Sequence, residues 1–228
     1  MTSAAKSVVL LDAFGTLIGL RPPLPRLRRR LADAGYDYPD EVLAAALAAE
    51  MRFYRANHDA GRDAESLAEL RRSCARVLGA QLGGSVPPVE VLTDCLMSSI
   101  EFVLLPDVLP TLDALQERGL RLAVVSNWDY ELPVEFERLG VAERFEAVAV
   151  SASLGVGKPD PAIFRWALER LGAGPEEALH CGDHPEKDCA GARAAGIEAL
   201  LLDRDDRHPD APCPRIRTLA ELPALLRP

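Results

Sequence analysis

Five short apolar runs recur along the chain, at positions 8–11, 120–125, 147–150, 178–181 and 198–202. Each is rich in Val, Leu or Ala and largely unbroken by polar positions, the pattern of strands buried on both faces of a parallel sheet. Helix-length stretches at 109–118, 130–139, 161–171 and 186–195 separate the later runs. Gly119, Gly140, Gly172 and Gly196 follow them, at the place just past a helix end where a left-handed residue is favoured. Strand and helix in alternation, joined by right-handed crossovers, predict an α/β fold built on a doubly wound parallel sheet of the Rossmann-like kind.

The stretch 21–102 breaks this alternation. It holds no convincing strand, and its apolar residues fall at helical spacings: Leu43, Leu47, Met51 and Tyr54, then Leu67, Leu70, Cys74, Val77 and Leu78. Proline and glycine clusters at 22–25, 83–84 and 87–88 mark its turns. The expectation is an all-helical insert of about four helices after the first strand. It divides the chain into a core of residues 1–20 and 104–228 and an inserted unit of residues 21–103. The charged, proline-rich stretch 204–214 predicts a surface loop before a short last helix at 219–226.

Composition narrows the function classes. The 228 residues are 48% hydrophobic and 27% charged, enough for one large domain or one domain with an insert. A net charge of −9 argues against a nucleic-acid binder, which would cluster a basic surplus on one face. No apolar run reaches the ~18 residues of a membrane helix, so no membrane partner is expected. One lysine before a four-residue apolar run, with no small-residue cleavage site, does not make a signal peptide. The five cysteines show neither a CxxC pair nor zinc spacing, and the expectation is reduced thiols in a cytoplasmic protein. Only Lys6, Lys158 and Lys187 among the 26 basic residues are lysines.

Ligands of an open parallel sheet bind at the carboxyl ends of its strands. The first run ends at Asp12, the second at Ser126-Asn127, the third leads to a loop with Lys158, and the fourth leads to Asp183 and Asp188. A carboxylate able to act as nucleophile, a hydroxyl, an ammonium and an acidic pair therefore fall on one rim. Singly these are ordinary: an Asp before Gly-Thr is common turn chemistry, and a Ser after a strand is a common helix cap. Lys158 stands out because this chain so strongly prefers arginine, and Pro159 biases it toward extended backbone.

Taken in order, DAFGT (12–16), SN (126–127), GKPDP (157–161) and GDHPEKD (182–188) resemble the four motifs of the haloacid dehalogenase superfamily of hydrolases. The resemblance covers 8–202 apart from the insert, which lies where members of the type with a helical cap carry that cap. It implies covalent catalysis in which the Asp12 carboxylate attacks the electrophile, classically a phosphoryl group, and water then cleaves the aspartyl intermediate. It further implies Mg²⁺ held by Asp12, the Phe14 carbonyl, Asp183 and, directly or through water, Asp188. Lys158 and Ser126 would meet the charged oxygens, with Thr16, Asn127 and Trp128 on the substrate side. The implied partner is a small phosphorylated metabolite, and the implied assembly a monomer or homodimer.

One residue departs from the phosphatase pattern. Phe14 stands where phosphatases of the superfamily place a second Asp as general acid and base, and a phenyl ring moves no proton. Dehalogenases of the superfamily share an aromatic there but lack the acidic pair, which only a cation makes sense of. Three readings follow: a slow Mg²⁺-dependent phosphatase, a metal-free 2-haloacid dehalogenase, or a catalytically weak binding protein. His184 is the nearest substitute acid/base in sequence, though a histidine there also suits a helix cap. Arg52, Arg55, His58 and Arg62 of the insert are candidates to address a substrate anion, against the plainer reading of a solvated helix face.

Overall fold

A computed structural model describes residues 6–226. Two compact units emerge, one holding the described residues through Gly19 and from Leu104 onward, the other Leu20–Val103.

The strands are β1 (Val8–Leu11), β2 (Ile18–Leu20), β3 (Phe102–Leu104), β4 (Arg121–Ser126), β5 (Ala147–Val150), β6 (Ala178–Gly182), β7 (Glu198–Leu202) and β8 (Arg215–Ile216). Six of them form one sheet in the order β5-β4-β1-β6-β7-β8, and every neighbouring pair runs parallel. From β1 the chain winds outward through β4 and β5, then returns to the other side of β1 through β6, β7 and β8. The switch point is therefore β1 itself, flanked by β4 and β6. Leu11 pairs with Val124 on one side and Cys181 on the other, so the next residue along, Asp12, emerges level with the ends of both neighbours. Every side chain of β1 is buried, as a central strand covered on both faces requires.

The inserted unit carries α1 (Leu24–Asp33), α2 (Asp40–Asn57), α3 (Ala64–Gly79) and α4 (Val89–Met97). α3 starts where Asp63 accepts the Ser66 N–H at 2.8 Å while Ser66 Oγ accepts the Asp63 N–H at 3.0 Å, a reciprocal cap. Its buried stripe of Leu67, Leu70, Cys74, Ala75 and Leu78 follows the helical period.

The other unit adds α5 (Val108–Glu117), α6 (Leu132–Arg138), α7 (Ser151–Leu154), α8 (Pro161–Leu171), α9 (Gly191–Ala194) and α10 (Leu222–Leu225). α8 shows why the sequence folds locally as it does. Asp160 caps its first turn, Pro161 supplies a pre-set φ, and Gly172 ends it in left-handed geometry. Ile163, Phe164, Ala167, Leu168 and Leu171 then face one apolar cluster with Val8, Leu10, Val125 and Ala149 of the sheet.

The structure departs from the sequence expectations in four places. β3 begins at Phe102, the last residue of the stretch expected to hold no strand. The helix expected over 186–195 opens instead as a π-helical turn, Pro185–Ala190, before α9. The last helix is a 3₁₀ turn, Leu219–Glu221, followed by α10. The expectation of wholly reduced cysteines is corrected: Cys189 and Cys213 are disulfide-bonded, while Cys74, Cys95 and Cys181 are buried and outside any disulfide. Cys213 lies in the loop expected on the surface yet reaches the core cluster, a long-range contact that spacing along the chain cannot reveal. Among the described residues no helix is long and apolar enough to cross a membrane.

Candidate active site

The three central strands of the sheet end on one rim. Asp12 follows β1, Ser126 closes β4 and Asp183 follows β6. The Asp12 N–H donates to the Cys181 carbonyl at 3.0 Å, which continues the sheet by one bond. The chain then turns sharply: the Ala13 carbonyl accepts from the N–H groups of Leu17 and Ile18 at 2.8 and 2.9 Å. Gly15 adopts φ of 85° in this turn, and a Cβ there would overlap the Asp183 carboxylate. Only glycine lets the turn approach Asp183 so closely. Thr16 is fully buried and its Oγ1 lies 3.5 Å from Asp12 Oδ2, so its hydroxyl is turned to that carboxylate.

Lys158 is buried between two carboxylates, its Nζ 2.6 Å from Asp12 Oδ1 and 2.6 Å from Asp188 Oδ1. Ser126 Oγ donates to Asp12 Oδ1 at 3.3 Å. Asn127, expected on the substrate side, commits its amide to Lys158: its Oδ1 accepts the Lys158 N–H at 2.7 Å and its Nδ2 donates to the Lys158 carbonyl at 2.9 Å. A Cβ on Gly157 would stand 2.8 Å from Asn127 Oδ1, so the neighbouring glycine leaves room for that clasp. Trp128 is buried with its ring centroid 6.2 Å from that of Phe14.

One participant, His180, escaped the sequence reasoning. His180, fully buried in β6, has Nε2 2.9 Å from Asp188 Oδ1. A polar residue in the middle of an otherwise apolar strand was its only signal. Gly182 is needed because a Cβ there would overlap the Asp188 carboxylate. His184 takes the helix-cap role: its Nδ1 accepts from the N–H groups of Glu186 and Lys187 at 3.2 and 3.3 Å. Its own N–H donates to Asp188 Oδ2 at 2.9 Å. In the inserted unit His58 is buried with Nδ1 3.0 Å from Asp59 Oδ1, and Arg62 is exposed with Nε on the Asp59 carbonyl at 3.4 Å. Arg52 and Arg55 are exposed.

Asp12, Asp183 and Asp188 each offer a carboxylate oxygen, and these oxygens lie within 4.8 Å of one another. One ammonium faces three carboxylates, which leaves an excess of negative charge in a largely buried site. Burial pushes the Asp12 carboxyl up, with Lys158 pulling against it. Burial also raises Asp183, and the charges of Asp12 and Asp188 drive it further, to about 7. Asp188 is the exception: burial would raise it, but Lys158 and His180 hold it well below the usual carboxylate range. Burial alone would lower Lys158, and the two carboxylates reverse that, holding it firmly protonated. An all-oxygen donor set with surplus negative charge fits a hard divalent cation such as Mg²⁺.

Comparisons with known proteins identify the family. A family profile for haloacid dehalogenase-like hydrolases matches residues 6–196. A phosphoserine phosphatase from Thermus thermophilus is 42% identical over 110 residues, 48% of this chain and 44% of the relative. A haloacid dehalogenase-like hydrolase domain-containing protein 3 from Danio rerio is 40% identical over 121 residues, 51% of this chain and 50% of that protein. A ribulose-1,5-bisphosphate 5-phosphatase from Halopiger xanaduensis is 33% identical over 178 residues, 76% of this chain and 73% of the relative. The chain spans about half the length of the first curated relatives it matches. Among solved structures, a 2-haloacid dehalogenase from Pseudomonas syringae superposes with a TM-score of 0.67 at 28% identity, over 97% of this chain and 98% of that one. An aspartate at the switch point of a parallel sheet, a buried lysine against it and an acidic pair beside it sit within the matched residues, and the chain belongs to the haloacid dehalogenase-like hydrolases.

Proposed function

We propose that this chain is a Mg²⁺-dependent phosphatase of a small phosphorylated metabolite, with Asp12 as nucleophile. The observation that carries this reading is the cluster of Asp12, Asp183 and Asp188 within 4.8 Å, left with a negative excess even after Lys158 is counted. Asp12, Asp183 and the Phe14 carbonyl would hold the cation. Asp188 accepts from Lys158 and His180 at Oδ1 and from the His184 N–H at Oδ2, so it would join directly or through water. A bound Mg²⁺ supplies Lewis-acid stabilisation of phosphoryl charge.

The residues divide the remaining work. An Asp12 carboxylate oxygen forms a bond to phosphorus while the bond to the leaving oxygen breaks. Lys158 offsets the negative charge of Asp12 as the dianion approaches, and the Ser126 hydroxyl donates to a phosphoryl oxygen. Water then attacks the aspartyl phosphate, releasing inorganic phosphate and restoring Asp12. Phe14 gives no proton to the leaving group, so substrates whose leaving oxygen is already a stable anion turn over best. Residues 21–103 would act as the cap that confers specificity on a core of residues 1–20 and 104–228.

A second reading, metal-free 2-haloacid dehalogenase, is favoured by Phe14 and by the likeness to a 2-haloacid dehalogenase structure. Turnover of p-nitrophenyl phosphate with Mg²⁺ and with EDTA, beside chloride release from 2-chloropropionate, separates the two, with Asp12→Asn as control. Mg²⁺-dependent phosphate release that Asp12→Asn abolishes is the expected result. Chloride release indifferent to EDTA, with no phosphatase activity, would reverse the assignment.

A further inference from the structure

Arg204 lies two residues beyond β7, far in sequence from the nucleophile. Its guanidinium nonetheless reaches the turn after Asp12: Nε donates to the Gly15 carbonyl at 3.3 Å and Nη2 to the Thr16 carbonyl at 3.1 Å. The same group grips Asp107 with both prongs, Nη1 to Oδ2 at 2.7 Å and Nη2 to Oδ1 at 3.0 Å. Asp107 precedes α5 but leaves that helix uncapped by its side chain. It accepts instead from Thr218 Oγ1 at 2.7 Å and the Leu219 N–H at 2.8 Å. Both side chains of the pair are largely sheltered from water, 27% and 12% exposed.

We infer that Arg204, braced by Asp107, is a positioning residue that holds the 13–18 turn so that Asp12 and the Phe14 carbonyl keep their spacing to Asp183. This rests on the phosphatase reading, since the spacing matters for a cation shared among those groups. The physical reason is geometric. Gly15 and Thr16 present carbonyls to Arg204 immediately after Phe14, while Gly15 itself packs against the Asp183 carboxylate. A planar fork with fixed donor directions serves two carbonyls and a carboxylate at once. A lysine, a single point charge on a flexible stem, cannot. Outer residues that orient a cation site typically change its affinity by about 10–100-fold when altered.

The test uses the full chain with Arg204→Gln, Arg204→Lys and Asp107→Asn. Two readouts are taken: Mg²⁺ binding by calorimetry in the presence of beryllium fluoride, and p-nitrophenyl phosphate turnover resolved into kcat and KM. All three variants are expected to weaken Mg²⁺ binding by about tenfold or more and to lower kcat, with KM for the phosphate ester little changed. Lysine should fail to rescue. Wild-type Mg²⁺ binding in Arg204→Lys, or variants that lose thermal stability while Mg²⁺ affinity and kcat stay at the wild-type level, would reduce the strap to scaffolding and overturn the inference. A wild-type protein that binds no Mg²⁺ and releases no phosphate would instead sink the phosphatase reading, and this inference with it.

Discussion

Replacing Asp183 with Asn removes one negative charge from a site where three carboxylates face one ammonium, and it does so almost without changing shape. Without metal, the folded protein holds the Asp183 carboxyl near 7 against an ordinary 3.8, through burial first and then the charges of Asp12 and Asp188. The folded state therefore binds this proton more tightly than the unfolded chain does. Its contribution to stability is complete below 3.8 and is lost as pH rises toward 7. A difference of about 3 pK units corresponds to about 4 kcal/mol at pH 8, an upper limit because Asp183 is partly exposed and solvent screens the repulsion. In EDTA at pH 8, Asp183→Asn should melt above the wild type by up to roughly 10 °C, at the 2–4 °C per kcal/mol typical of this chain length. At pH 4 the gain should vanish, since the wild-type carboxyl is then protonated in the fold. Magnesium should close most of that gap: it stabilises the wild type by about 2.7 kcal/mol at a hundred times its Kd, while the variant lacks a ligand and gains little. Scanning calorimetry at both pH values, with and without metal, reads all four conditions. An Asn variant no more stable than wild type in EDTA at pH 8 would refute the picture of mutually repelling carboxylates.

Further expectations bear on neighbouring residues. Phe14→Asp should raise turnover of alkyl phosphates about tenfold or more while changing nitrophenyl phosphate turnover less, because only the poor leaving group needs a proton. Equal effects on both substrates would show that proton transfer is not limiting. Lys158→Gln strands two buried carboxylates and should cost about 3–5 kcal/mol in chemical denaturation at neutral pH as well as abolishing turnover. A variant as stable as wild type would contradict the buried ion-pair geometry. Gly182→Ala forces a methyl into the Asp188 carboxylate and should cost about 1–3 kcal/mol with a steep fall in kcat, read from melts and steady-state kinetics.

Much of the site was legible because it is local. Asp12, Ser126 and Asp183 each lie at the end of an apolar run, and strands of a parallel sheet present their ends on one rim. Roles that depend on partners across the chain were not legible. Asn127 looked substrate-facing by its place in a motif, yet its amide holds the backbone of Lys158, 31 residues away. His180 drew no attention within its apolar run, and only the π-helical turn brings Asp188 onto its ring nitrogen.

Hydrophobic periodicity, caps and turn residues settled the α/β class, the five principal strands, the boundaries of α8 and the helical character of the insert. These features depend on neighbours within a few residues, so the chain's local chemistry determines them. The pairing of Cys189 with Cys213, the reach of Arg204 to the Gly15 carbonyl 189 residues earlier, and the burial of Lys158 between two carboxylates arise only when the sheet closes. Tertiary structure decided them because hydrogen bonds and charge pairs act through angstroms of space, and distance along the sequence carries no record of that separation.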